Sequence, residues 1–187
     1  MREVLLNKKV VIRELKKDEI NLPLFSNFNR YQEVTKCWRK IEGEWKIKEI
    51  SFVDNWDENQ YKELVKYLLN TVDTGGTVWG VFKEELVGFA SLENEFFGSK
   101  DQYLQLSSIH ISKESRGEGL GKKLFKEVVK KAKSIGLEKI YISANSSIET
   151  ITFYKSLGCV EAEEYNKRLV EEEPCDCQLE YVIKKEN

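Results

Sequence analysis

The stretch "ESRGEGLGKKLF", residues 114–125, contains three glycines at alternate positions, with an arginine before them and two lysines after them. Apolar residues alternate in the segment before it and recur at helical spacing after it, which predicts a strand, a turn and an amphipathic helix. A glycine-rich turn at a helix N-terminus presents backbone N–H groups at the positive end of the helix dipole. The stretch therefore predicts an anion-binding turn, with phosphate as the natural ligand.

Two nucleotide-binding motifs share these features, and neither fits the stretch. A Walker loop requires glycine where Arg116 stands and Ser or Thr where Lys123 stands. The dinucleotide fingerprint, counted from Gly117, requires a third glycine where Lys122 stands, and counting from Gly119 fails in the same way. ATP and NAD therefore lose most of their support.

Length and composition predict one domain over residues 1–187, since 187 residues with 41% hydrophobic content can bury a single sizeable core. The 30 basic and 32 acidic side chains give a net charge of −2, which argues against a nucleic-acid partner. Charged residues interrupt every apolar run before it reaches the length that spans a membrane. The N-terminus has no long apolar segment followed by small residues, which a secretory leader would show. We therefore expect a cytoplasmic protein without a membrane partner.

Cysteine usage and the single histidine point away from a metal site. "CDC" near the C-terminus lacks a matching pair, so it is a weak half-site, and we expect no bound metal. Without a leader, the four cysteines are expected to be free thiols. His110 lies in an alternating run, which favours a half-buried strand position.

Apolar periodicity predicts the remaining elements. The expected strands are 9–15, 77–82, 86–92, 103–112, 139–144 and 177–185, with a hairpin around Gly43. The expected helices are 59–72, 119–135 and 146–158, the last beginning with a capping box of Ser146 and Glu149. Three aromatics near the hairpin, Trp38, Trp45 and Phe52, are expected to cover a core edge rather than line a substrate site.

One pattern does fit the turn: Arg-x-x-Gly-x-Gly, met by Arg116, Gly119 and Gly121. With the strand "KIYISAN" and the helix "ETITFYKSLG" following in order, residues 77–159 resemble the GNAT superfamily of N-acetyltransferases. The resemblance implies an α/β (α+β) fold with a mixed, mainly antiparallel central sheet flanked by helices. It also implies acetyl-CoA as co-substrate and direct transfer of its acetyl group to a primary amine of a small molecule or peptide.

The same resemblance assigns residues to the cofactor. The turn would hold the pyrophosphate, and the strand before it would supply a backbone donor to the oxyanion. The cofactor-binding residues so implied are Ile109, His110, Ile111, Arg116, Gly117, Glu118, Gly119, Leu120, Gly121, Lys122, Asn145, Ser147 and Tyr154. Two departures from the family pattern stand out: Ser147 replaces a common asparagine, for which Asn145 is the substitute, and Cys159 replaces a common aromatic.

The resemblance implies that Tyr154 protonates the leaving thiolate, although a tyrosine at this point of a helix could also simply pack. An amine with a pKa near 10.4 must lose a proton before it attacks, so a base or a water chain is needed. Glu93 is the candidate base by its strand position. Glu95 and His110 are the alternatives, and Ser107 or Ser108 could instead order a water.

The acceptor is the least determined part of the prediction. Acidic residues crowd the segment before the last strand, which would suit a cationic amine or form a solvated loop; they are Glu161, Glu163, Glu164, Glu171, Glu172, Glu173 and Asp176. The hairpin with "EGEW" and the ending "CQLEYVI" resemble streptothricin and aminoglycoside-type acetyltransferases. Two other readings stay open: a catalytically weak CoA-binding regulatory module, and an interaction domain that uses the tryptophan hairpin. Either a monomer or a homodimer is compatible with the sequence.

Overall fold

A computed structural model describes residues 9–184 of the protein. The expectations for the first eight residues and for the last residue of the predicted strand 177–185 lie outside this range. The strands are β1 (Val11–Glu14), β2 (Gln32–Ile41), β3 (Glu44–Asp54), β4 (Thr77–Phe82), β5 (Leu86–Leu92), β6 (Tyr103–Ile111), β7 (Lys139–Ala144), β8 (Val160–Glu161) and β9 (Cys177–Val182). The helices are α1 (Glu58–Asp73), α2 (Leu120–Ser134), α3 (Ile148–Ser156) and α4 (Lys167–Glu172).

Seven strands form the central sheet in the order β1-β4-β5-β6-β7-β9-β8. The β6–β7 pair is parallel, and every other neighbouring pair in the sheet is antiparallel. The parallel pair requires a crossover, which α2 supplies. The predicted mixed, mainly antiparallel sheet flanked by helices is confirmed.

The two faces of the sheet are covered by different helices. On one face α2 buries the stripe that its sequence predicts, with Leu124 and Val128 completely buried. On the other face α1 packs Leu68 against a second apolar cluster that includes Phe89. Each fully buried leucine stabilises the fold by about 1.5–3 kcal/mol. Ile135, predicted to complete the α2 stripe, follows the last helical residue and is 44% exposed.

A separate ribbon of β2 and β3 forms the hairpin predicted around Gly43. Glu42 and Gly43 have φ angles of 52° and 83°, the left-handed conformations that a two-residue hairpin turn requires. Trp38 and Trp45 are half-buried and pack against the main core, as expected, whereas Phe52 is 37% exposed. The ribbon therefore turns its tryptophans inward.

Three local expectations require correction or addition. The cap of α3 is Ser147, whose Oγ accepts from the Thr150 N–H, and not Ser146, whose hydroxyl instead accepts from Arg39. Two adjacent serines left this choice open in the sequence. The strand β8 and the helix α4 were not predicted, because segments of two and six residues are too short to show a period.

Residues 9–184 were also compared with the requirements of membrane helices, metal sites and disulfides. None of their helices combines the length and the apolar character needed to cross a membrane. No group of three or more His, Cys, Asp or Glu side chains in this range is arranged to hold a metal ion. All four cysteines are free thiols.

Candidate functional site

The two parallel strands diverge soon after they meet. β6 pairs with β7 only where residues 103–105 face residues 139–141, although both strands continue beyond this point. The diverging halves, residues 106–111 and 143–145, line a cleft of about 780 Å³. Within the described chain no strand occupies this edge of β6, so its backbone N–H and C=O groups are open to an extended ligand.

A β-bulge distorts β6 at the middle of the cleft. Ser91 pairs with Ser108 and Leu92 pairs with Leu106, so Ser107 is the extra residue. A bulge bends its strand and redirects the side chain that it carries. The distortion therefore places Ser107 where two cavities meet.

The second cavity, of about 640 Å³, lies on the α1 side of the sheet. Ser107, Ser108 and His110 line both cavities, and α1 and its preceding loop add Tyr67 and Trp56 to the second one. A ligand in the first cleft and another in the second could thus approach each other across β6. This arrangement suits a reaction between two substrates.

The glycine-rich turn has the geometry expected of an anion site. Gly117 and Gly119 have φ angles of 80° and 75°, and a Cβ at either position would meet nothing within 4 Å, so the backbone is open to a ligand. Gly119 caps α2, whose first turn carries Lys122 and no acidic residue. Gly121 is needed for close packing instead, because a Cβ there would lie 3.0 Å from the Phe153 ring.

Arg116 lines the cleft, but its guanidinium is directed at backbone carbonyls. Nε donates to the Ile111 carbonyl at 3.0 Å, Nη1 to that of Tyr31 at 2.8 Å and Nη2 to that of Arg30 at 3.2 Å. Direct contact between Arg116 and a pyrophosphate stays a prediction. The observed geometry shows the side chain joining the turn to residues 30–31.

Tyr154 is 6% exposed and lines the cleft. Burial raises the pKa of Tyr154 well above its usual range, and Cys159 and Asp176 add to the effect, so the phenol is protonated at neutral pH. No other side chain or backbone group in residues 9–184 hydrogen-bonds to this hydroxyl. The proton is therefore free for donation to a ligand.

The Glu93 carboxylate lies behind the cleft. Its Oε1 accepts hydrogen bonds from the Tyr67 hydroxyl and the Thr71 hydroxyl, each at 3.0 Å, and from the Ser107 hydroxyl. Of these donors, Ser107 is the one that lines both cavities. Glu93 can therefore exchange a proton with the cleft only through Ser107 or a water.

His110 is half-buried on β6, as its sequence pattern predicts, with its ring centroid 5.1 Å from that of Trp56 and 5.3 Å from that of Phe89. Burial lowers the pKa of His110 to about 3, and Arg30 and Arg116 add to the effect. A group with this pKa is a weak acceptor for an ammonium proton. The low pKa therefore argues against His110 as the base, and Glu93 stays the candidate.

The sequence model of the acetyltransferase (GNAT) family matches residues 35–159, about two thirds of the chain. The chain belongs to the GNAT acetyltransferase family. Membership supports an acyltransferase activity. A search of curated protein sequences found no match.

Solved structures of GNAT proteins share the fold. Nourseothricin acetyltransferase has a TM-score of 0.68 at 12% identity, over 94% of this chain and 99% of that one. A Bacillus anthracis str. Ames protein described as a streptothricin acetyltransferase, in complex with acetyl coenzyme A, has a TM-score of 0.68 at 17% identity, over 95% and 99%. A GNAT acetyltransferase from Staphylococcus aureus Mu50 has a TM-score of 0.61 at 18% identity, over 94% and 100%.

The cleft brings together most of the residues that the family resemblance assigns to the cofactor. Those that line it are Ile109, His110, Ile111, Arg116, Gly117, Gly119, Leu120, Gly121, Lys122, Asn145 and Tyr154. Two others, Glu118 and Ser147, stand outside it, and so does the candidate base Glu93. Glu93 lies behind Ser107, Glu118 pairs with Lys83 at 2.7 Å, and Ser147 is completely buried with its hydroxyl engaged in capping α3.

The acidic segment does not face either cavity. Glu161 accepts from Lys40 at 2.6 Å and from the Trp45 indole at 3.0 Å, which holds the hairpin against β8. Glu163 pairs with Lys139, and Glu164 accepts from Ser99. Glu161, Glu163 and Glu164 thus serve structural contacts, and none of the seven acidic residues lines either cavity.

The cleft also contains residues that the sequence reasoning missed. Arg30, Tyr31, Gln32 and Glu33 line it at and just before the start of β2, and Phe153 lines it from α3. "RYQE" has no period and no motif. Its place in the cleft depends on hydrogen bonds that the carbonyls of Arg30 and Tyr31 accept from the distant Arg116, for which the sequence contains no signal.

The low pKa of His110 predicts a pH effect on stability. The unfolded residue has a pKa near 6.5 and the folded one about 3, so between these values the unfolded chain binds the extra proton and stability falls as the pH falls. Between pH 7.5 and pH 5 the loss is about 2 kcal/mol, or roughly 4–8 °C in melting temperature. The His110→Gln variant should lose less melting temperature over this range than the wild type.

Thermal unfolding of both proteins at pH 7.5 and pH 5 measures the difference. His110 is the single histidine of the chain, so other imidazoles do not contribute. Carboxylates such as Asp176, with a pKa of about 6, titrate in both proteins and cancel in the comparison. Equal losses in the two proteins would show that His110 is protonated normally in the fold.

Proposed function

We propose that the protein transfers the acetyl group of acetyl-CoA directly to a primary amine of a small molecule or peptide. The observation that carries this proposal is the cleft itself, which joins a glycine-rich helix N-terminus to the largely buried Tyr154 along an open strand edge. Family membership and a family structure in complex with acetyl coenzyme A support the choice of co-substrate.

The chain's own groups suggest how the co-substrate is held. The pyrophosphate would accept from the backbone N–H groups of the turn at Gly117 and Gly119, with Lys122 adding a positive charge. The extended pantetheine arm would pair with the open edge of β6. Its sulfur would then come to rest beside Tyr154 and Asn145, where β7 ends.

Three functions are required for the chemical step, a base, an oxyanion donor and an acid, and the site offers a candidate for each. The acceptor amine loses a proton to a water or, through Ser107, to Glu93. The free amine attacks the thioester carbonyl, and a backbone N–H from residues 109–111 donates to the oxyanion. When the tetrahedral intermediate collapses, the C–S bond breaks and Tyr154 gives its proton to the thiolate, while the extra proton on the attacking nitrogen passes through water to the Tyr154 phenolate and restores it.

The cysteines support direct attack rather than an acetyl-enzyme route. None of the four lines either cavity. Burial raises the pKa of both Cys159 and Cys177 to about 12, so neither is a thiolate nucleophile at neutral pH.

The alternative proposal is a CoA-binding regulatory module of the same fold with weak turnover. Release of free thiol from acetyl-CoA, measured against a panel of amines that includes nourseothricin, distinguishes the two. The interaction-domain reading has less support, because Trp38 and Trp45 pack inward. A single domain over residues 1–187, a cytoplasmic location, a monomeric or homodimeric state and the absence of a nucleic-acid partner stay predictions.

The first test concerns the turn. The Gly119→Val variant should bind acetyl-CoA at least about tenfold more weakly, since its side chain would occupy space that the phosphate needs. Gly136→Val is the matched control, because Gly136 has a similar φ of 74°, is equally open and lies at the far end of the same helix. Calorimetry should show normal affinity in the control despite similar backbone strain. Equal affinities in the two variants would exclude the turn as the cradle.

The second test concerns Tyr154. Tyr154→Phe keeps the ring, so acetyl-CoA affinity should change little, while turnover should fall roughly ten- to a thousand-fold if the hydroxyl protonates the thiolate. The control is Tyr141→Phe, since Tyr141 is a buried tyrosine whose hydroxyl bonds to Gln178 away from the cleft. Unchanged turnover in Tyr154→Phe, on an amine whose chemical step limits the rate, would assign the proton to water.

A further inference from the structure

Residues 29–37, here called the strap, connect the ends of the two diverging strands. At its first end the strap is attached to the segment that follows β6. The Asn29 carbonyl accepts from the Lys113 N–H and the Asn29 N–H donates to the Ser112 hydroxyl, both at 2.9 Å. The Asn29 side chain also donates to Glu114 at 2.6 Å. This end of the strap is therefore attached to residues 112–114, which directly precede the glycine-rich turn.

At its other end the strap reaches the segment that follows β7. Cys37 forms an isolated bridge with Ser147, and the adjoining Trp38 N–H donates to the Ser146 carbonyl at 2.8 Å. Between the two attachments the strap crosses the mouth of the cleft and lines it with Arg30, Tyr31, Gln32 and Glu33. The strap thus forms one wall of the space between β6 and β7.

Arg116 joins the strap to the turn by donating to the carbonyls of Tyr31 and Arg30, and it also donates to that of Ile111 in β6. A planar guanidinium can direct donors at three separated acceptors, whereas a lysine ammonium concentrates its donors at one point. The charge of Arg116 is close to that of Arg30, a buried cation paired with Asp54 at 2.6 Å. An anion at the turn would reduce the repulsion between the two guanidinium groups.

We propose that Arg116 is a positioning residue that holds the strap across the cleft, and that an anion bound at the neighbouring turn tightens this attachment. The inference rests on the proposed function, in which that anion is the pyrophosphate of acetyl-CoA. Bound acetyl-CoA then holds in place the wall that the acceptor contacts. By linkage, the acceptor raises the affinity for acetyl-CoA by the same factor.

Amide hydrogen exchange of residues 29–34 tests the attachment without any acceptor. In the free protein, Arg116→Lys keeps the positive charge but loses the three-way contact, so strap exchange should be about tenfold faster than in the wild type. In the wild type, CoA should slow strap exchange about tenfold, and in Arg116→Lys it should have little effect. CoA should still bind the variant in calorimetry, within about tenfold of the wild-type affinity.

Two further variants separate the roles of charge and contact. Lys122→Gln removes an exposed cation of the same turn that makes no hydrogen bond to the strap, so it should weaken CoA binding and leave strap exchange in the free protein unchanged. Asn29→Ala removes the bond to Glu114 and leaves both guanidinium groups intact, so it should speed strap exchange with CoA affinity nearly unchanged. With any amine that supports turnover, Arg116→Lys should raise the KM of that amine more than the KM of acetyl-CoA.

Unchanged strap exchange in the free Arg116→Lys variant would overturn the positioning role. A loss of CoA affinity of a hundredfold or more in that variant, with strap exchange unchanged, would make Arg116 a direct phosphate ligand instead. If the wild type failed to bind CoA, the proposed function and the coupling would both fall. Faster strap exchange in the free variant would then still establish the attachment by itself.

Discussion

The separation of β6 and β7 after three paired residues determines most of what this protein can do. Two strands of a sheet normally satisfy each other's backbone groups, and a pair that parts leaves a row of donors and acceptors facing a gap. Water in the gap would satisfy these backbone groups, so the stability of the fold does not require a ligand there. A gap that ends at a helix N-terminus on one side and a buried phenol on the other is a binding site with two chemically different ends.

The rest of the site can be understood as support for that gap. The bulge at Ser107 turns the middle of β6 toward a second cavity, so that a strand with a ligand on one face can receive another from the opposite face. α2 supports β6 by burying Leu124 and Val128, and the short helix α3, which follows β7, supports the other side of the gap. The close approach of Gly121 to the Phe153 ring brings α2 and α3 together beside the cleft. Rigid elements therefore carry each end of the site.

Local patterns predicted most of the fold because the longer strands and helices each carry their own period. β4, β5 and β7 begin and end where the alternation of apolar residues does, and α2 differs from its prediction by a single residue at each end. The anion-binding turn was also predictable, since its glycines and basic residues are adjacent in sequence. Contacts that rely on backbone carbonyls were not. The strap residues 30–33, the burial of Ser147 and the pairing of Glu161 with Lys40 depend on which distant segment arrives beside them.

The way in which Arg116 grips the strap has an evolutionary consequence. Its three acceptors are main-chain carbonyls, which every amino acid supplies, so the attachment does not depend on the identity of the side chains at positions 30 and 31. Substitutions there can reshape the wall of the cleft while the strap stays in place. A lineage with this arrangement can explore new acceptors through point mutations in one short segment, without rebuilding the part of the protein that binds the acyl donor.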